Sequence, residues 1–228
     1  MAATPPLAQQ HVPALTFAVR GVTAVQHAAV PTLDFEVAIG CGETSVRSIL
    51  LDVQIQIAAR QRDYSGEADA GLEELFGTQD RWASTLRTLP WTRTTVVVPP
   101  FTGATTIHVS IACTYDLEVA ASRYFSALHD GEVPLEFLFS GSVFYAAANG
   151  LLQTTRIGWD QDADYLMPVA VWRAMMDRHF AGSAWLRVRR GEFERLGAYR
   201  ARHTLRSWEE TIDALLDAAE GEGDAGVE

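Results

Sequence analysis

"TLDFEVAI" at residues 32–39 and "ILLDVQIQI" at residues 49–57 decide the fold class. In the first run Leu33, Phe35, Val37 and Ile39 share one face, and Thr32, Asp34, Glu36 and Ala38 share the other. In the second, Ile49, Leu51, Val53, Ile55 and Ile57 form the apolar row. Period-two alternation with polar partners predicts antiparallel strands that are wet on one side.

The pattern continues in both directions. "LTFAVRGV" at 15–22, "TTVVV" at 94–98, "TTIHVSIACTY" at 105–115 and "PLEFLFSGSVFY" at 134–145 read as further strands. Gly141 interrupts the apolar row of the last one, which predicts a bulge or a close backbone approach. "NG" at 149–150 marks a tight turn into "LLQTTRIGW". About seven short strands separated by turn signals predict a mainly β, α+β fold, an antiparallel β-sandwich over residues 14–165. "GLEELFG" at 71–77 and "LEVAASRYFSAL" at 117–128 have helical spacing.

After Pro168 the period becomes helical. "PVAVWRAMMDRHF" sets Val169, Trp172 and Met176 on one stripe. "GEFERLGAYRAR" opens with Glu192 and Glu194 and closes with Arg200 and Arg202, which suits the helix dipole. "SWEETIDALL" carries a capping box, Ser207 with Glu210 three residues on. The expectation is a helical segment over 166–217 packed on the sandwich, then a disordered acidic tail over 218–228, whose small and acidic residues offer little to bury.

Composition narrows the function. All 18 basic residues are arginine, so no Schiff-base or phosphate-loop lysine exists. The net charge of −11 is uneven: Arg173–Arg206 holds nine arginines against three acids, while the last 22 residues hold eight acids and no base. An acidic chain with one short basic stretch is not expected to bind nucleic acid. The start, "MAATPPLAQQHVPAL", lacks the pattern of a signal peptide, and no apolar run is long enough to span a membrane. Cys41 and Cys113 then read as reduced thiols, and a cytoplasmic protein without a membrane partner is expected.

Few residues look like chemistry. "WDQDADY" at 159–165 spaces Asp160, Asp162 and Asp164 two apart. A calcium loop starting at Asp160 needs glycine at its sixth position and glutamate at its twelfth, but Tyr165 and Val171 stand there. The stretch reads as a solvated connector between a strand and a helix, with the three aspartates the only candidate metal ligands. The six histidines lack zinc-site spacing, and His108 sits opposite the apolar row of its strand. Ser140 and Ser142 lack a nucleophile elbow, and Cys113 on an apolar face reads as an inert core thiol. No catalytic residue and no cofactor are expected. The six tryptophans read as core anchors.

"WLRVRRGEFERLGAYRARHTLR" has two readings. Its arginines either pair with the protein's own acidic sheet or form a docking face for an acidic protein, with Arg187, Arg189, Arg190, Arg200 and Arg202 as the contact residues.

The segments "VPPFTG", "CTYDLEVAASRYFSALHDGEVPLEFLFSGSVFY" and "PVAVWRAMMDRHFAGSAWLRVRR" resemble an uncharacterised family of actinobacterial proteins. Its members are often encoded beside uptake nickel–iron hydrogenase genes. The resemblance implies an accessory role around that enzyme and supplies no catalytic residue. A looser likeness is to the SecB export chaperone: "LTFAVRGV", "TLDFEVAI", "VRSILLDVQIQI" and "PLEFLFSGSVFY" follow its strand order, and "WLRVRRGEFERLGAYR" resembles its closing segment. That likeness implies the alternative of a SecB-like α+β fold. The resulting expectation is a non-enzymatic accessory or assembly factor that binds another protein, a hydrogenase subunit or a second copy of itself being the options. The rival is a small-ligand-binding protein or an enzyme whose site is scattered along the sequence.

Overall fold

The computed structural model describes residues 12–64, 70–114, 116, 119–147, 149–182 and 188–224. The strands are β1 (Thr16–Ala24), β2 (Thr32–Ile57), β3 (Leu89–Val98), β4 (Phe101–Ala112), β5 (Glu132–Ala146), β6 (Leu152–Arg156) and β7 (Asp162–Pro168). The helices are α1 (Ala70–Phe76), α2 (Trp82–Thr85), α3 (Ala120–Ser126), α4 (Val169–His179), α5 (Arg190–Arg202) and α6 (Trp208–Asp224). All seven strands join one antiparallel sheet, so the fold is mainly β with added helices, as the alternation predicts.

The two runs read above as separate strands are one strand of 26 residues. β2 is the spine of the sheet. Its first half pairs with β1 on one edge and β4 on the other; its second half pairs with β5 and β3. Register slips between Gly40 and Ser45, and Gly42 takes a left-handed φ of 59° that a side chain would resist. On the neighbouring edge Pro99 and Pro100 separate β3 from β4, where the ring nitrogens have no hydrogen to donate to a ladder.

The sheet therefore folds on itself, and its two halves face each other across the core. Phe35 on the first half of β2 meets Phe137 on β5 edge-to-face at 5.2 Å, and Phe17 on β1 stacks on Phe139 at 4.3 Å. The sandwich expected from the sequence is thus a single bent sheet. Gly141, with φ 135°, sits where an added Cβ would lie 2.0 Å from the Leu50 carbonyl oxygen, which is the close backbone approach its position predicts.

By contacts the chain divides into two compact units, Met1–Trp185 and Leu186–Glu228. α4 belongs with the sheet because Val169, Trp172, Met175 and Met176 are part of its buried core, so the division comes after α4 and not at residue 165. α6 continues to Asp224, across residues 218–224 of the expected disordered tail. Ala218, Ala219 and Glu220 are strong helix formers and extend the helix without needing buried contacts. Residues 225–228 lie outside the described chain.

Candidate functional site

The second unit is a helical hairpin. α6 opens with a variant of the capping box the sequence predicts: the Glu210 N–H donates to Ser207 Oγ at 3.1 Å, and Glu210 Oε2 accepts at 2.6 Å from the N–H of Arg206, one residue before the N-cap. α5 closes with a Schellman motif, Leu205 N–H to Arg200 O at 3.1 Å and Thr204 N–H to Ala201 O at 3.4 Å. Glycine usually fills the left-handed position of that motif. Here it is Thr204, at φ 56°.

The arginines sort into three groups. Arg189 pairs with Glu192 at 2.9 Å and Arg190 with Glu194 at 3.1 Å, both within their own helix and both highly exposed. Arg200 lies 4.4 Å over the Trp208 ring, which also contacts Phe193 at 5.0 Å. Arg202 and Arg195, seven residues apart, line an open cleft of about 450 Å³ with Leu196, Tyr199 and Leu215. Arg195 was not among the residues singled out from sequence. Its signal is the i, i+4, i+7 stripe Arg195–Tyr199–Arg202 on one helix face. Arg187 lies outside the described residues.

The three aspartates part company. Asp162 and Asp164 are on β7, exposed and paired in register with Leu138 and Glu136 of β5, while Asp160 stays in the preceding turn. This replaces the connector reading. Asp is a poor strand former, but alternation with Ala163 and Tyr165, both packed against the core, places the stretch on the sheet. Among the described residues no group of three or more His, Cys, Asp or Glu side chains could hold a metal ion.

On the outer face of the sheet, Asp34 accepts from Ser110 Oγ at 2.7 Å and lies 2.6 Å from His108 Nδ1. The serine proton goes to the carboxylate and not to the imidazole, so the trio lacks the order of a nucleophilic triad. Trp82 and Trp172 are buried, as expected of anchors, but Trp159 is 97% exposed, and Trp185 lies outside the described residues.

The first unit also holds a cavity of about 210 Å³. Trp91 of β3, Phe125 of α3 and Trp172 of α4 supply its aromatic wall: Phe125 meets Trp91 edge-to-face at 4.9 Å and stacks on Trp172 at 5.4 Å. Thr92, Cys113, Thr114 and Ser122 supply polar atoms. Burial pushes the Cys113 thiol up to about 12, so it is neutral at physiological pH.

A family model matches residues 12–224. The chain belongs to DUF6084, a family of unknown function. Among proteins with curated descriptions, none matches this DUF6084 chain in sequence. Solved structures similar to it include a late embryogenesis abundant protein, 10% identical with a TM-score of 0.32, over 69% of this chain and 74% of that one. A β-glucosidase from Kluyveromyces marxianus is 9% identical with a TM-score of 0.22, over 68% of the DUF6084 chain but 15% of the glucosidase. No helix among the described residues is long and apolar enough to cross a membrane.

Proposed function

We propose that the protein is a non-enzymatic accessory or assembly factor that works in the cytosol and docks an acidic surface of another protein on its α5–α6 hairpin. The observation that carries this reading is the hairpin cleft, lined by Arg195 and Arg202 together with Leu196, Tyr199 and Leu215, and by Glu192, whose carboxylate is paired with Arg189. Arginine beside aromatic and aliphatic side chains is the composition favoured at protein interfaces. Phe193, Ile212 and Leu216 extend the apolar surface, at 52%, 47% and 55% exposure.

A second feature supports it. Arg189 and Arg190 stand at the N-terminal end of α5, where the helix dipole disfavours cations. They are not placed there for helix stability, and Glu192 and Glu194 hold them outward.

The sequence resemblance makes a nickel–iron hydrogenase subunit the first partner to test, with unfolded polypeptide, as for a SecB-like chaperone, the next. A second copy of the chain is a further outcome of the same experiment. Full-length protein and the double variant Arg195→Glu/Arg202→Glu are used as bait in extracts of the native organism and of a hydrogenase-expressing strain. The expected result is an acidic protein retained by the wild type, released by salt, and lost by a variant that melts at the same temperature. Capture of the same protein by the folded variant would sink the docking face.

A further inference from the structure

The cavity in the first unit is independent of the hairpin. Its lining comes from four places in the sequence: Trp91 and Thr92 on β3, Cys113 just after β4, Ser122 and Phe125 on α3, and Trp172 on α4. Its shape is held by the rest of the fold. The Cys113 N–H donates to the Pro31 carbonyl at 2.7 Å, and the two aromatic contacts of Phe125 fix the wall.

Its polarity is specific. Among the described residues no Asp, Glu, Arg or His side chain lines it, so a charged guest would lose its hydration without a counter-charge from them. The side-chain protons of two polar lining groups are already committed: Ser122 Oγ donates to the Thr114 carbonyl at 2.9 Å, and Cys113 Sγ donates to the Ile111 carbonyl at 3.6 Å. What Ser122 has left to offer is lone pairs, and Cys113 Sγ is at most a weak acceptor. Ser122 therefore meets a guest as an acceptor, while the Thr92 and Thr114 hydroxyls in the same lining can accept or donate.

Size completes the description. An apolar cavity of about 150 Å³ takes a benzene-sized guest. A cavity of about 210 Å³ has room for a fused bicycle on the order of ten heavy atoms. Aromatic walls at offset and edge-on angles suit a planar guest. We infer that this cavity is a binding site for a small, neutral, planar aromatic molecule carrying one hydrogen-bond donor, of the indole or phenol class, with Ser122 as the acceptor.

The test uses 5-fluoroindole and the full-length protein, followed by ¹⁹F NMR. The expected result is saturable one-to-one binding with a sub-millimolar dissociation constant. 5-Fluorobenzofuran, which lacks the donor, should bind roughly three- to tenfold more weakly, the value of one neutral hydrogen bond. 5-Fluoroindole-2-carboxylate should not compete. Ser122→Ala should remove the preference for 5-fluoroindole over 5-fluorobenzofuran, and Ala121→Leu should block both by filling the space. If Ala121→Leu fails to fold, Val119→Trp provides the block instead, because Val119 lies at the rim and is 42% exposed. Non-saturating shifts up to the solubility limit, or undiminished binding by a folded blocking variant, would overturn the assignment. Retained preference in a folded Ser122→Ala would overturn the acceptor role.

Discussion

In the sheet unit, Leu33, Phe35, Val37 and Ile39 are fully buried along half of a single strand; in the hairpin unit, Thr211 is the one described residue that is buried. The sheet unit is held by its own core. The hairpin is held by what lies along its helices: a capping box, a Schellman motif and a guanidinium over Trp208. Helix pairs of about 40 residues bury too little to be stable on that basis alone. The difference shows where evolution could alter a surface without disturbing a core, and the hairpin is that place.

The contrast breaks if equal changes cost equally in both units. Gly141→Ala should be the most damaging substitution, because its Cβ would collide with the Leu50 backbone at a φ that side chains resist. The expected loss is more than about 4 kcal/mol, read as loss of a cooperative urea transition. Phe35→Ala should lose about 3–5 kcal/mol. The same truncation at Phe193, half exposed on α5, should move the urea midpoint by less than about 1 kcal/mol. A Phe193→Ala loss as large as that of Phe35→Ala would mean that Phe193 anchors a core.

Alkali should separate the units next. The ordinary thiol value is 9.0, and burial raises Cys113 to about 12. Burial pushes the Tyr124 phenol up as well, from 10.0. Below pH 9 neither group distinguishes folded from unfolded chain. Between about pH 9 and 12 the unfolded chain has released the thiol proton that the folded chain keeps, so stability falls by about 1.4 kcal/mol per pH unit from Cys113. Urea titrations at pH 8, 10 and 11 should show this slope, and Cys113→Ala should make it shallower. An unchanged slope would mean the thiol reaches solvent.

How these features were read from the sequence follows the same division. Alternation exposed the inward rows of β2, β4 and β5, because a half-buried strand writes its burial directly into neighbouring residues. It also divided β2 in two, since Gly40, Gly42, Glu43 and Thr44 resemble a turn when the flanking strands that span them are not in view. β7 was hidden by two aspartates in seven residues; only pairing with β5 makes them a strand. The capping box at Ser207 was legible as a local motif. The fate of Arg189 and Arg190 was not, because their partners proved to be three and four residues away and not on the sheet. The aromatic cavity could not be seen at all: Trp91 and Trp172 converge only when β3 and α4 are in place.

Smaller effects sharpen the comparison further. Thr204→Gly should stabilise the last turn of α5 by about 1 kcal/mol, since a β-branched residue pays for its left-handed backbone and glycine does not. Amide exchange at Leu205, whose N–H closes the motif, should slow about fivefold; no slowing would show that the strain is absorbed elsewhere. The least effect is expected from Asp162→Asn/Asp164→Asn. Both side chains are exposed, so the melting midpoint should change by no more than about 0.5 kcal/mol equivalent. Calcium should leave the melting curves of parent and variant superimposed. A calcium-dependent rise in the parent, lost in the variant, would restore a metal role to this strand.

The length of β2 also sets the order in which the chain can mature. A ribosome completes β2 at Ile57, but its later partners β3, β4 and β5 end at Val98, Ala112 and Ala146. Until β3 is made only β1 is available to pair with it, and a long alternating strand with open edges invites pairing with other chains. Asp34, Glu36, Asp52, Gln54 and Gln56 interrupt its outer face, and charges on such a face hinder stacking of nascent chains. Once β3, β4 and β5 have closed on it, both halves of the sheet depend on the same backbone. Neither half can open without loosening the other, so the amides of β2 should exchange together, as one late-opening block.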